Sequence, residues 1–263
     1  MTARKIVVTS GKGGVGKTTT TANLGAALAK RGHRVVLVDA DIGLRNLDLV
    51  LGLEKRIVFD LVEVAEGRCQ LRQALIKDKR FDSLSILPAA QTREKDAITE
   101  DQFAAIVDRA ADEADYVLVD CPAGIEAGFR NAVAGASEAI VVTTPEVSAI
   151  RDADRVVGKL NERSKPTRLI VNRLRPEMVR SGDMLSVEDV CEILSVELLG
   201  IVPDTEEIIE TTNRGEPIVL DETSRLRVVY DKIARRLEGE IVPFTTFDNQ
   251  GFFGRLIDAL KAG

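Results

Sequence analysis

The sequence is poor in the residues that build metal and redox centres. Its 263 residues include three cysteines and one histidine. Cys69, Cys121 and Cys191 are widely spaced and form no CxxC pair, which argues against a zinc or iron–sulfur site within one chain. A sparse, odd set suits a reducing cytoplasm. No run of 18 apolar residues occurs, so no segment reads as a membrane-spanning helix. The chain enters an apolar run at residue 4, so no signal peptide is visible. Basic residues are outnumbered 36 to 42, a net charge of −6. That balance does not suit a protein whose main partner is nucleic acid, and no specific nucleic acid is expected. Internal repeats and low-complexity linkers are also missing.

What is present suffices for one large α/β domain: the length allows a substantial core and 44% of residues are hydrophobic. Short apolar, β-branched runs recur at 4–9, 35–39, 84–88, 116–120, 139–143, 168–172 and 198–202. Amphipathic stretches such as 101–114 and 148–163 lie between several of them. Strands alternating with helices predict a mostly parallel twisted sheet flanked by helices on both faces, of P-loop NTPase type. Ligands in such sheets sit beyond the carboxyl ends of the strands.

The first strand runs into Gly11-Lys12-Gly13-Gly14-Val15-Gly16-Lys17-Thr18-Thr19, a fit to the phosphate-loop pattern G-x-x-x-x-G-K-[ST]. A helical pattern over 18–30 follows, which is the context the motif requires. Glycines let the backbone turn its N–H groups toward phosphate, and the helix N-terminus adds positive potential. Lys17 is expected on the β- and γ-phosphates of ATP and the Thr18 hydroxyl on Mg²⁺. Lys12 is not needed by an ordinary phosphate loop. A lysine there can reach a neighbouring subunit's nucleotide, which points to an ATP-dependent homodimer.

Carboxylates stand at two further strand ends. Asp39 and Asp41 follow the run 35–38, where Asp41 suits the orientation of an attacking water and Asp39 the Mg²⁺ water shell. The same residues also serve as turn caps. Asp120 follows four apolar residues, the Walker-B pattern for holding Mg²⁺, and Gly124 suits a switch loop near the γ-phosphate. Cys121 reads as a small packed side chain. Asn172, at the next strand end, offers a donor and an acceptor to an adenine edge, and Pro203 and Asp204 suit the flank of the same base. These three are equally turn residues after strands.

With GKGGVGKTT at 11–19, VDADIGLRNLD at 38–48 and DCPAG at 120–124, the chain resembles the deviant Walker-A, or MinD/ParA, ATPase family over nearly its whole length. The resemblance implies that ATP sandwiches two subunits and that Lys12 reaches the partner's phosphates. It also implies that Asp41 positions the hydrolytic water, that Asp120 serves the metal and that Asn172 contacts adenine. The stretches 41–54 and 148–160 liken it most to the division-site branch. That branch implies a MinC-like division inhibitor, a MinE-like ATPase activator and inner-membrane lipid as partners, with Asp152 and its neighbours contacting one or other of the two proteins, although the residues alone read as a solvated helix face. The reading divides the chain into an ATPase domain (1–238), a linker (239–250) and an amphipathic membrane-targeting helix (251–263).

That last segment reads GFFGRLIDALKAG. On a helix, Phe252, Phe253, Leu256, Ile257 and Leu260 fall within about 140° of arc, which suits a helix lying in a membrane interface. A helix docked on the domain's own core is the alternative, and the resemblance favours the membrane. The expected location is therefore cytoplasmic, peripheral on the inner membrane when ATP is bound. Three other family roles are weighed. A ParA-type DNA-segregation ATPase needs a basic surface. A nitrogenase-iron-protein relative needs paired cluster cysteines. A flagellar-number ATPase usually carries an extra segment before its first strand.

Overall fold

The computed structural model describes residues 2–94 and 97–244. An eight-stranded sheet runs through the molecule. Its strands are β1 (Arg4–Thr9), β2 (Val35–Asp39), β3 (Ile76–Lys77), β4 (Leu84–Leu87), β5 (Tyr116–Asp120), β6 (Glu138–Thr143), β7 (Thr167–Leu174) and β8 (Glu197–Pro203). The order is β3-β4-β2-β5-β1-β6-β7-β8, and every pairing is parallel except β3 with β4.

The central strands carry unbroken apolar runs through their middles because both faces are covered. In β2, Val35 and Leu37 point into one core and Val36 and Val38 into the other; Leu118 and Val119 of β5 divide the same way. One face packs on α1 (Lys17–Lys30), on α2 (Leu47–Val50) and on a helix near the end of the described chain. The opposite face lies between α3 (Leu61–Ala65), α4 (Leu71–Ala74), α5 (Glu100–Ala111), α6 (Ala127–Gly135) and α7 (Val147–Glu162). After β7 come α8 (Pro176–Ser181) and α9 (Val187–Leu194), and after β8 come α10 (Glu206–Asn213) and α11 (Arg225–Leu237), the last helix on the α1 face.

The expected strands and main helices stand within three residues of their sequence positions. The stretch 47–77 differs: it forms short helices and the two-residue β3, elements too brief to show a period.

The amino ends of the central strands are closed by ion pairs. Arg4 donates from Nε and Nη2 to the two Glu138 carboxylate oxygens, at 2.8 and 2.6 Å, and from Nη1 to the Leu237 carbonyl. Its guanidinium lies 5.6 Å from the Tyr116 ring centroid, and the His33 ring meets Tyr116 edge-on at 5.1 Å. Arg31 donates to Glu238 (2.7 and 2.8 Å) and Glu240 (2.8 Å), and His33 Nε2 is 2.9 Å from Glu238. This cluster fastens the end of α11 beneath the sheet. The expected amphipathic segment, with Phe252, Phe253, Leu256, Ile257 and Leu260, lies outside the described residues.

Candidate functional site

The carboxyl ends of the same strands carry the glycine loop. Gly14 (φ 76°) and Gly16 (φ 94°) occupy the left-handed region, where a side chain is strained. Gly11 is required for another reason: a Cβ there would stand 2.2 Å from the carbonyl carbon of Asp152, because the loop presses on the α7 backbone. At Gly13 and Gly14 a Cβ would meet nothing within 4 Å, so these backbones face open space. No side chain caps the start of α1. Its first amides therefore remain available to a phosphate. Val15 is buried in the core beneath the loop and Lys17 is buried at its end, while Thr18 and Thr19 are half-buried. Lys12 is turned toward its own subunit: Nζ donates to Ser148 Oγ at 3.1 Å and lies 3.6 Å from Glu146 Oε2, on and just before α7.

Asp39 and Asp120 are neighbours across the β2–β5 ladder and are both buried. Burial pushes Asp120 up to about 6, against the Thr18 hydroxyl bond and the Lys17 charge that favour its ionised form. The Thr21 hydroxyl also faces it, at 3.4 Å from Oδ1. Asp39 is likewise held well above the ordinary carboxylate range, first by burial and then by Asp120. Its Oδ1 accepts the Asp41 N–H (2.9 Å) and its Oδ2 the Leu47 N–H (3.1 Å), so it also shapes the turn that presents Asp41. Within that turn the Leu44 and Arg45 amides donate to the Asp41 carbonyl, with Gly43 at φ 95° and Arg45 at φ 46°. Thr18, Asp39 and Asp120 offer oxygen donors without a sulfur or imidazole among them. Such a set fits Mg²⁺, a hard cation, and two carboxylates this deeply buried gain from a positive charge.

The loop after β5 is tied to the glycine loop, since the Gly124 amide donates to the Ser10 carbonyl at 3.1 Å. Cys121 is buried, and burial pushes its thiol up to about 12, so it packs as a small apolar group.

Asn172 is buried, and its Nδ2 donates to the Val15 carbonyl at 2.7 Å. A Cβ on Gly16 would collide with the same Nδ2 at 2.3 Å. The residue expected on adenine thus also braces the phosphate loop. Its Oδ1 is buried without a hydrogen-bond partner among the described residues, a vacant acceptor at the site. Pro203 ends β8, and the Asp204 amide donates to the Leu174 carbonyl at 3.0 Å. The Asp204 carboxylate is engaged by Arg175, a residue that sequence reasoning missed, since the pairing exists only once β7 and β8 lie side by side.

Comparison with known proteins places this geometry. The CobQ/CobB/MinD/ParA nucleotide binding domain family matches residues 6–218. The chain is 60% identical over 246 residues to the septum site-determining protein MinD of Synechocystis, covering 93% of this chain and 92% of that one. It is 56% identical over 248 residues to MinD of Bacillus subtilis, with coverage of 93% and 92%. Among solved structures it is similar to the MinC:MinD cell division protein complex of Aquifex aeolicus, at 51% identity and TM-score 0.87, covering 94% of this chain and 100% of that one. MinD of Pyrococcus horikoshii, complexed with Mg-ADP, is 32% identical at TM-score 0.82, with coverage of 90% and 96%.

Proposed function

The chain belongs to the MinD septum-site-determining members of the MinD/ParA nucleotide-binding family, and from that premise we propose an ATP-dependent, dimerising ATPase that positions the division site by recruiting a division inhibitor to the inner membrane. The observation that carries the hydrolytic part is the convergence, at one end of the sheet, of the glycine loop, Lys17 and the buried Asp39–Asp120 pair.

In this reading the amides of residues 11–16 and of the first turn of α1 bind the phosphates of ATP, and Lys17 neutralises the β- and γ-oxygens. Thr18 and Asp120 would hold Mg²⁺, with Asp39 on its water shell, and the ion would offset charge on the phosphate oxygens. Asp41 orients the attacking water. Asn172 accepts from the adenine amino group through Oδ1, and Pro203 and Asp204 flank the base. Lys12 leaves Ser148 and Glu146 and reaches the nucleotide of a second copy; exposed pairs of this kind hold weakly, at about 0–1 kcal/mol. Turnover by one subunit alone is slow, because that lysine comes from the other.

The membrane part rests on residues 251–263. Burying an apolar side chain gains roughly 1.5–3 kcal/mol, less in a wet interface, and a helix this short is marginal in water. One copy binds weakly. Two copies on one dimer gain roughly 10²–10⁴ in avidity, so ATP-driven dimerisation governs peripheral residence on the cytoplasmic face. The segment balances two basic residues with Asp258, so the reading includes only modest dependence on anionic lipid. The protein partners in this reading are a MinC-like inhibitor, supported by the likeness to the MinC:MinD complex, and a MinE-like activator.

Liposome co-sedimentation with ATP and with ADP, on the full chain and on a chain ending at Gln250, tests the reading. The full chain is expected to sediment with ATP alone and the shortened chain with neither. Sedimentation of the full chain regardless of nucleotide would sink the switch, and steep, salt-sensitive DNA binding at physiological salt would redirect the assignment to DNA segregation.

A further inference from the structure

Arg80 lies in the loop between β3 and β4, away from the glycine loop, in a stretch whose sequence suggests packing alone. Its geometry is over-determined. Its backbone amide and Nε donate to Asp78 Oδ1 (2.7 and 3.0 Å), and Nη2 donates to Asp78 Oδ2 (2.6 Å). The Asp78 side chain is only 1% exposed, so this fork–fork pair fixes the guanidinium plane. The plane then spans two backbones. Nη2 donates to the Leu51 carbonyl at 2.9 Å and Nη1 to the Gly215 carbonyl at 3.1 Å.

Those carbonyls belong to two segments that touch without side chains between them. Gly52 (φ 64°) and Gly215 (φ 66°) are both left-handed, and a Cβ on Gly215 would stand 2.6 Å from Gly52 Cα. Leu51 closes the stretch that begins at Asp39. Its amide continues α2 by bonding the Leu47 carbonyl, and the Leu47 amide sits on Asp39 Oδ2. Displacing Leu51 therefore pulls on the turn that carries Asp41. Gly215 closes the other stretch, which begins at Pro203 and Asp204 and runs through α10.

We propose that Arg80 is a positioning residue for hydrolysis: one guanidinium locks the Asp41-bearing segment to the segment that starts on the base side of the site. The inference rests on the ATPase reading above. It implies that binding at the base side and the placement of Asp41 are mechanically joined through the Gly52–Gly215 contact.

Arg80→Lys is the informative variant, because a lysine keeps a charge for Asp78 but lacks the fork that reaches both carbonyls. Single-turnover hydrolysis, affinity for a fluorescent ATP analogue and amide hydrogen exchange are measured on wild type, Arg80→Lys and Arg80→Ala. Both variants are expected to hydrolyse about tenfold more slowly with analogue affinity nearly unchanged. Exchange should quicken in 41–53 and 206–216 together and stay unchanged in β6 and β7. Wild-type turnover by Arg80→Lys overturns the proposal, as does faster exchange in only one segment. Loss of protection across the whole sheet in both variants also overturns it, since that is plain destabilisation. A wild-type chain that binds the analogue but hydrolyses no ATP overturns the ATPase reading itself, and the exchange pattern still reports whether the two segments are joined.

Discussion

The two ends of the central strands are built from similar residue types to opposite purposes. At the amino ends, Arg4 meets Glu138, Arg31 meets Glu238, Asp231 and Glu240, and Arg34 meets Asp115. Each acid there has a cation beside it. At the carboxyl ends two acids are buried side by side, Asn172 keeps a buried oxygen without a partner among the described residues, and glycines hold left-handed backbone that other residues adopt only under strain. One end is electrostatically closed, whereas the other is left incomplete at the expense of stability. The incomplete end is the one that a nucleotide and a cation would complete.

The sharpest way to expose this difference is Asp120→Asn. The substitution keeps the shape and removes a buried charge next to Asp39. Hydrolysis is expected to fall by roughly 10² or more, while the nucleotide-free protein gains about 1–3 kcal/mol against urea. A loss of both, measured by turnover and by the urea midpoint, would break the comparison. Gly16→Ala acts on the same end through geometry. Its φ of 94° and the approach of Asn172 Nδ2 leave a methyl no room, so nucleotide affinity should drop roughly tenfold or more, read by titration with a fluorescent analogue.

At the closed end the expectation inverts. Arg31→Ala strips one cation from Glu238, Glu240 and Asp231. It should lower stability by about 1–3 kcal/mol with turnover unchanged. In a protein of this size each kcal/mol corresponds to roughly 2–4 °C of melting temperature. Reduced turnover in a variant that is still folded at the assay temperature would show that the two ends are coupled.

The sequence revealed these two ends unequally. The parallel sheet was legible because strands covered on both faces carry unbroken apolar runs, Ile6 to Val8 in β1, Val35 to Val38 in β2 and Tyr116 to Val119 in β5. The glycine loop and the acids at strand ends were legible because the chemistry fixes their spacing. The closed end was not. Arg4 and Glu138 are 134 residues apart, and Arg31 and Glu238 are 207 apart, so only the finished topology makes them neighbours. The same holds for Asn172, whose bond to the Val15 carbonyl spans 157 residues, and for Arg80, which reaches the Gly215 carbonyl across 135. The short helices between 47 and 74 escaped for a local reason: four or five residues are about one turn, too little for a hydrophobic period to register.

The smallest expected effect separates the ends by acid response. Glu138 is held below the usual carboxylate range chiefly by its bond to Arg4, Glu238 by its bond to Arg31, and Asp115 by its bond to Arg34. A carboxylate whose folded pKa is depressed takes up its proton later in the folded chain than in the unfolded one. Its contribution is whole above the unfolded value, 4.5 for glutamate, and disappears as pH falls through the folded value. The closed end should therefore loosen in acid. Glu138→Gln removes one titrating group from that window, so its unfolding free energy should vary less steeply with pH below 4.5 than that of wild type. Near neutral pH the substitution should cost only about 1 kcal/mol, because both partners are partly exposed and screened. Urea unfolding across pH 3.5 to 7, roughly the range in which native carboxylates titrate, reads both quantities. Equal slopes for the two proteins would mean that the Arg4–Glu138 pair contributes no electrostatic closure. The comparison would then rest on Arg31 and Glu238 alone.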